Sequence, residues 1–210
     1  MNIIAGIVGL FVLTAGFLFA YAWFRLHASL HVHTNEHEDL LRTYPLKHTD
    51  VHLTTRDGFS IAAWYIPVPK PKAVVILLHG FTDVNGGKAL MLPHAAYLHA
   101  HGYTTLLIDF RANGDSDGTH CTLGVTEWQD AEAAFDYAAK QPENTNVRIG
   151  FFGISMGAAT AIITAGKTGK GDFVIASVPY AGYHAMFAYQ SAKEHLPLGS
   201  LSHFFHWPPG

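Results

Sequence analysis

The residues best suited by type and spacing to do chemistry are Gly153-Ile154-Ser155-Met156-Gly157. A G-x-S-x-G run gains meaning when a buried strand leads into it and a helix leads out. The apolar VRIGFF before it and the small-residue MGAATA after it predict that context, against the plainer reading of a glycine-rich strand end. A serine on so sharp a turn adopts a strained backbone, so the positions two before and two after it must lack bulk. In return its Oγ projects from the carboxyl edge of a sheet, and the next helix aims its amide-rich N-terminus at the reacting centre. This is the chemistry of a serine nucleophile attacking a carbonyl. Acyl transfer builds negative charge on the carbonyl oxygen, which needs two preorganised donors. One expected donor is the Met156 backbone amide. The other comes from the loop after an earlier strand, where AVVILL (73–78) ends in His79-Gly80-Phe81-Thr82. The Phe81 amide is the candidate, because Gly80 allows the backbone to approach. His79 is expected to orient this loop through its ring nitrogens, the base arriving from the far end of the sheet.

A second group of chemically competent residues lies earlier. His27, His31, His33, His37 and His48, with Glu36, Glu38 and Asp39, fall in residues 26–48. Imidazoles and carboxylates can ligate metals, but the spacing matches no strong zinc pattern. A solvated juxtamembrane linker is the preferred reading, and no metal or cofactor is expected.

The elements that must position Ser155 alternate between strand and helix. Val51–Val68 reads as a hairpin turning at Asp57-Gly58. Ala73–Leu78 and Tyr103–Ile108 are continuous apolar runs, the mark of strands covered on both faces. A helix is expected over Gly86–His101, bent or delayed by Pro93. Another spans Thr126–Gln141, where Trp128, Ala131, Phe135 and Ala138 recur at helical steps. Val147–Phe152, Met156–Gly166 and Phe173–Val178 complete a strand–helix–strand unit. Such alternation predicts an α/β fold, an open and mostly parallel sheet with helices on both faces.

Composition agrees with one compact domain carrying an apolar attachment. Charged residues are only 14% and apolar residues 49% of 210, and the net charge of −3 leaves no basic footprint for nucleic acid. The single cysteine, Cys121, excludes an intramolecular disulfide framework. Asn2–Phe24 carries no charge, ends in Tyr21, Trp23 and Phe24, and is closed by Arg25. Its length suits a single-pass transmembrane helix, so residues 1–25 are expected to be an anchor, of undetermined orientation. The alternatives are a cleaved signal peptide, with Ala20-Tyr21-Ala22 as cleavage site, and a buried helix. The signal-peptide reading suffers from the lack of any Lys or Arg before the run and from the run's length.

Three segments together resemble the α/β-hydrolase superfamily, in its serine aminopeptidase and monoacylglycerol lipase-like branch: LLHGFTDV (77–84), LLIDFRANGDSDG (106–118) and GFFGISMGAAT (150–160). The resemblance covers roughly residues 50–190. It implies an eight-stranded sheet, a cap after the sixth strand and a Ser–Asp–His triad in that order. It also implies that Asp109 and Arg111 stabilise the loop beside the oxyanion site. In that pattern the acid and histidine lie many tens of residues past the serine, yet only 55 residues follow Ser155. Asp172 precedes a strand and is expected at its amino edge. Glu194, His195, His203, His206 and His184 fit no triad position. Residues 49–210 therefore read as the N-terminal portion of a hydrolase core ending at the start of the cap, C-terminally truncated against the family pattern. Three readings follow. One is a membrane-anchored serine hydrolase of carboxylic esters, lipid-like acyl groups or small amides, with the triad acid and His missing from the chain. The others are a catalytically inactive tethered binding protein and a metal-binding membrane protein using His31, His33 and His37.

Overall fold

A computed structural model of the chain describes residues 3–30, 38–82 and 87–182. Six strands form one mixed sheet in the order β1-β2-β4-β3-β5-β6. They are β1 (Thr49–Thr54), β2 (Ser60–Ile66), β3 (Val74–Leu78), β4 (Thr104–Ile108), β5 (Ile149–Ile154) and β6 (Val174–Ser177). β1 and β2 form the expected hairpin, and Gly58 at φ +90° supplies the left-handed turn position. β2 joins β4 antiparallel, whereas β4, β3, β5 and β6 are parallel.

The helices are α1 (Ile3–Leu30), α2 (Glu38–Thr43), α3 (Gly87–Leu90), α4 (Leu92–Ala100), α5 (Trp128–Ala139) and α6 (Met156–Thr168). All five residues of β3 and of β4 are buried, because helices cover both faces of the sheet centre. Alternation divides β3 between two cores: Val74, Ile76 and Leu78 join one that includes α5 residues, and Val75 and Leu77 join one that includes α4 residues. Register then sets the site, since Leu78 pairs with both Ile108 and Gly153. His79, Asp109 and Ile154 consequently leave the carboxyl edge at one level.

Two expectations change. The helix expected over Gly86–His101 is broken at Met91 into α3 and α4, with Pro93 in the first turn of α4. Proline cannot donate to the preceding turn, so the helix restarts where that donor is not needed. The linker is also more structured than expected. It contains α2, and Leu40, Leu41, Tyr44 and Leu46 pack against the α4-side core.

The apolar N-terminal stretch forms a 28-residue helix, α1. Exposure is described for residue 9 and residues 11–24 of it, all exposed but the half-buried Ala22. Among the described residues no helix is long and apolar enough to cross a membrane. The fold thus gives a helix where an anchor was expected, without giving the membrane.

Candidate active site

β5 runs directly into α6 through Ser155, whose φ of +53° and ψ of −113° lie outside the regions ordinary L-residues adopt. Sterics explain the neighbours. A methyl group on Gly153 would lie 2.2 Å from the Gly157 carbonyl oxygen, and one on Gly157 would lie 2.1 Å from that of Leu78. Both positions are closed to any side chain. The bend is secured by the Ser155 amide, which donates to Ser177 O at 2.9 Å, and by Ser155 O, which accepts from Ala159 N–H at 3.1 Å. Met156 is the first residue of α6, so its amide has no partner within the helix. Its side chain is buried, with Sδ 3.4 Å from Cys121 Sγ.

The loop after β3 meets this bend closely. A methyl group on Gly80 would sit 3.4 Å from Ser155 Cβ, so the Gly80-Phe81 backbone runs beside the serine. The Phe81 side chain is exposed. His79 is fully buried, and its two nitrogens are both engaged. Nε2 accepts the Phe110 amide at 3.1 Å, which leaves Nδ1 protonated to donate to Gly80 O at 2.6 Å. Burial holds the imidazole below its usual pKa, which favours this neutral tautomer. The ring is committed to the loop and has no free nitrogen for Ser155.

Around this pair the 109–130 segment is densely bonded. Asp109 is buried, and a methyl group on Gly114 would lie 2.0 Å from its Oδ2. Ser116 Oγ donates to Asp109 O at 2.8 Å and accepts the Ala62 amide at 2.9 Å, tying the loop to β2. Arg111 forks between Asp130 (2.7 Å) and Asp57 (2.7 Å) while lying over Phe59. The guanidinium holds Asp57 below the usual carboxylate range, whereas burial pushes Asp130 up to about 6 against the pull of Arg111. Glu127, also buried, accepts from the Thr122 and Gly124 amides, both at 2.6 Å. Sequence reasoning singled out Asp109 and Arg111 but missed Asp57, Lys88, Glu127 and Asp130. A buried-face position for Asp130 on an otherwise amphipathic α5 was the one available signal.

Asp172 lies at the amino edge as expected, its Oδ2 accepting the Ile149 amide at 2.7 Å at the start of β5. His184, Glu194, His195, His203 and His206, and the linker residues His31, His33 and His37, lie outside the described residues. Among the described residues no group of three or more His, Cys, Asp or Glu is arranged to hold a metal ion.

Comparison with known proteins gives these features a context. The profile of the family described as "Serine aminopeptidase, S33" matches residues 69–207, about two thirds of the chain. An uncharacterized protein of Mycobacterium tuberculosis is 31% identical over 115 residues, 54% of this chain and 39% of that protein. Polyketide transferase af380 of Aspergillus fumigatus is 29% identical over 137 residues, 64% of this chain and 46% of that enzyme. Among solved structures, the Pyrococcus furiosus esterase Pf2001 superposes with a TM-score of 0.69 at 28% identity, covering 82% of this chain and 65% of the esterase. The chain thus spans less than half the length of these two sequence relatives.

Proposed function

The chain belongs to the serine aminopeptidase family S33, within the α/β-hydrolases, and from that premise we propose that it carries the nucleophile and oxyanion half of a serine hydrolase of carboxylic esters or small amides. The observation that carries this reading is the left-handed backbone of Ser155 between two glycines that admit no side chain. Non-glycine residues occupy such a conformation at a cost, and functional sites are where that cost is met.

In the proposed reaction Ser155 Oγ bonds to the substrate carbonyl carbon and its proton passes to a general base. The Phe81 and Met156 amides hold the resulting oxyanion. Collapse breaks the bond to the leaving alcohol or amine, which takes that proton, and leaves an acyl-serine. Water then adds, releases the acid and restores the hydroxyl. The relative named a polyketide transferase supports a variant in which another nucleophile replaces water. Neither His79, whose two ring nitrogens are engaged, nor Asp172, at the opposite edge, supplies the base or its orienting carboxylate. A serine without an adjacent base is a weak nucleophile, so turnover requires those groups.

We also propose that α1 anchors the protein in a membrane. What supports this reading is the charge-free stretch Asn2–Phe24 closed by Tyr21, Trp23, Phe24 and Arg25, although the described part of the helix is not by itself long and apolar enough to cross a membrane. Phe11, Leu13, Phe17 and Phe19 are each about 70% exposed, the kind of apolar surface that marks a membrane or protein contact. Retention in the membrane pellet after alkaline carbonate, lost on deleting residues 1–30, is the expected result. Release of the full chain would remove the anchor.

For the chemistry, a fluorophosphonate probe should label the folded full chain slowly, since no base is placed beside Ser155 among the described residues, and Ser155→Ala should abolish the label. A folded chain that takes no label would sink the hydrolase reading in favour of a tethered binding protein.

A further inference from the structure

Both ends of the oxyanion loop are tied to one dipeptide, Asp109-Phe110. At the near end His79 Nε2 accepts the Phe110 amide at 3.1 Å. At the far end the Lys88 amide donates to Asp109 Oδ1 at 2.8 Å, and Lys88 Nζ donates to Asp109 Oδ2. Lys88 Nζ also reaches Asp115 Oδ2 at 3.2 Å and lies 4.9 Å from the centre of the Trp64 ring. Lys88 is 4% exposed and Asp109 is fully buried. A buried ion pair adds little net stability over an apolar pair of like size, so its value here lies in what it fixes.

What it fixes is Gly87. A methyl group there would lie 2.2 Å from the His79 ring, so the backbone beside Lys88 is pressed against the imidazole. The ring's Nδ1 donates to Gly80 O. Gly80 C=O and Phe81 N–H belong to one planar peptide unit and point in opposite directions. Fixing that carbonyl therefore aims that amide. We propose that Lys88 is a positioning residue for the oxyanion site, acting through Gly87, His79 and the Gly80 carbonyl on the Phe81 amide. The catalytic consequence rests on the hydrolase reading above, whereas the positioning itself does not.

The test compares Lys88→Met, Lys88→Arg and Gly87→Ala in the full chain. Fluorophosphonate labelling rate is read beside the NMR signals of the His79 Nδ1 proton and the Phe81 amide. Lys88→Met should shift both signals and slow labelling roughly ten- to a hundredfold, short of the 10²–10³ that follows outright loss of an oxyanion donor. Lys88→Arg should restore part of both. Gly87→Ala keeps the ion pair and should displace the same two signals, which tests the Gly87–His79 link, while Lys88→Arg tests the cation itself if Lys88→Met fails to fold. Signals at wild-type positions in folded Gly87→Ala, or in folded Lys88→Met, overturn the proposal. If the wild-type chain takes no label while the variants still shift both signals, the hydrolase reading falls and the positioning stands.

Discussion

Ser155 holds φ at +53° with a side chain attached, an arrangement that costs of order 1–3 kcal/mol and that glycine would escape. Ser155→Gly is therefore expected to raise unfolding stability by about 1 kcal/mol, read as a higher urea midpoint, while removing the nucleophile. The flanking glycines carry the opposite expectation. Gly157→Ala places a methyl group 2.1 Å from a main-chain oxygen that cannot yield, and should cost about 3 kcal/mol in the same titration. Gly80→Ala meets Ser155 Cβ at 3.4 Å, ordinary contact, and should cost under about 1 kcal/mol. His79 adds a pH dependence. Its folded pKa lies below the unfolded value of 6.5, so the unfolded chain binds the extra proton. Stability is then full above about pH 6.5 and falls as the pH drops towards the folded value, by up to about 1.4 kcal/mol per pH unit. Urea unfolding at pH 7.5 and 5.5 should show that loss in the wild type and less of it in His79→Asn.

Among the elements, the loop between β4 and α5 depends on one cation. Arg111→Met would leave Asp130 buried without its partner, and a loss of about 3–5 kcal/mol is expected by chemical denaturation. Arg111→Lys should recover only part, because an ammonium cannot fork to Asp130 and Asp57 together. The contrast between these elements and the bend explains what the sequence revealed. β3 and β4 were legible because burial on both faces demands unbroken apolar runs, and the β5–α6 bend because its steric demand falls on residues two positions away. Lys88 was not, since its partner Asp109 lies 21 residues on and no local pattern links them. The α2 helix was hidden for a related reason: six residues are too few to display a helical period, and only docking against the core shows which face Leu40 and Leu41 serve.

For the molecule as a whole, the two sides of the sheet differ. Among the described residues β1 and β6 are each paired on one side only, but β6 is the edge with exposed large apolar side chains. Ile175 is 51% exposed on that strand and Val178 just after it is 74% exposed. Unpaired strand edges of this kind invite other strands. The protein is expected to self-associate in light scattering, and Ile175→Lys should reduce that association. At the centre, β3 brings Phe81 and β5 brings Ser155 with no strand between them. A slip of one residue between those two would carry the amide about 3.3 Å away and invert every side chain beyond it. Capture of a phosphonate would then be more than an assay of reactivity: each tagged chain certifies that its two middle ribbons had already locked into step, so the reagent could time assembly during refolding.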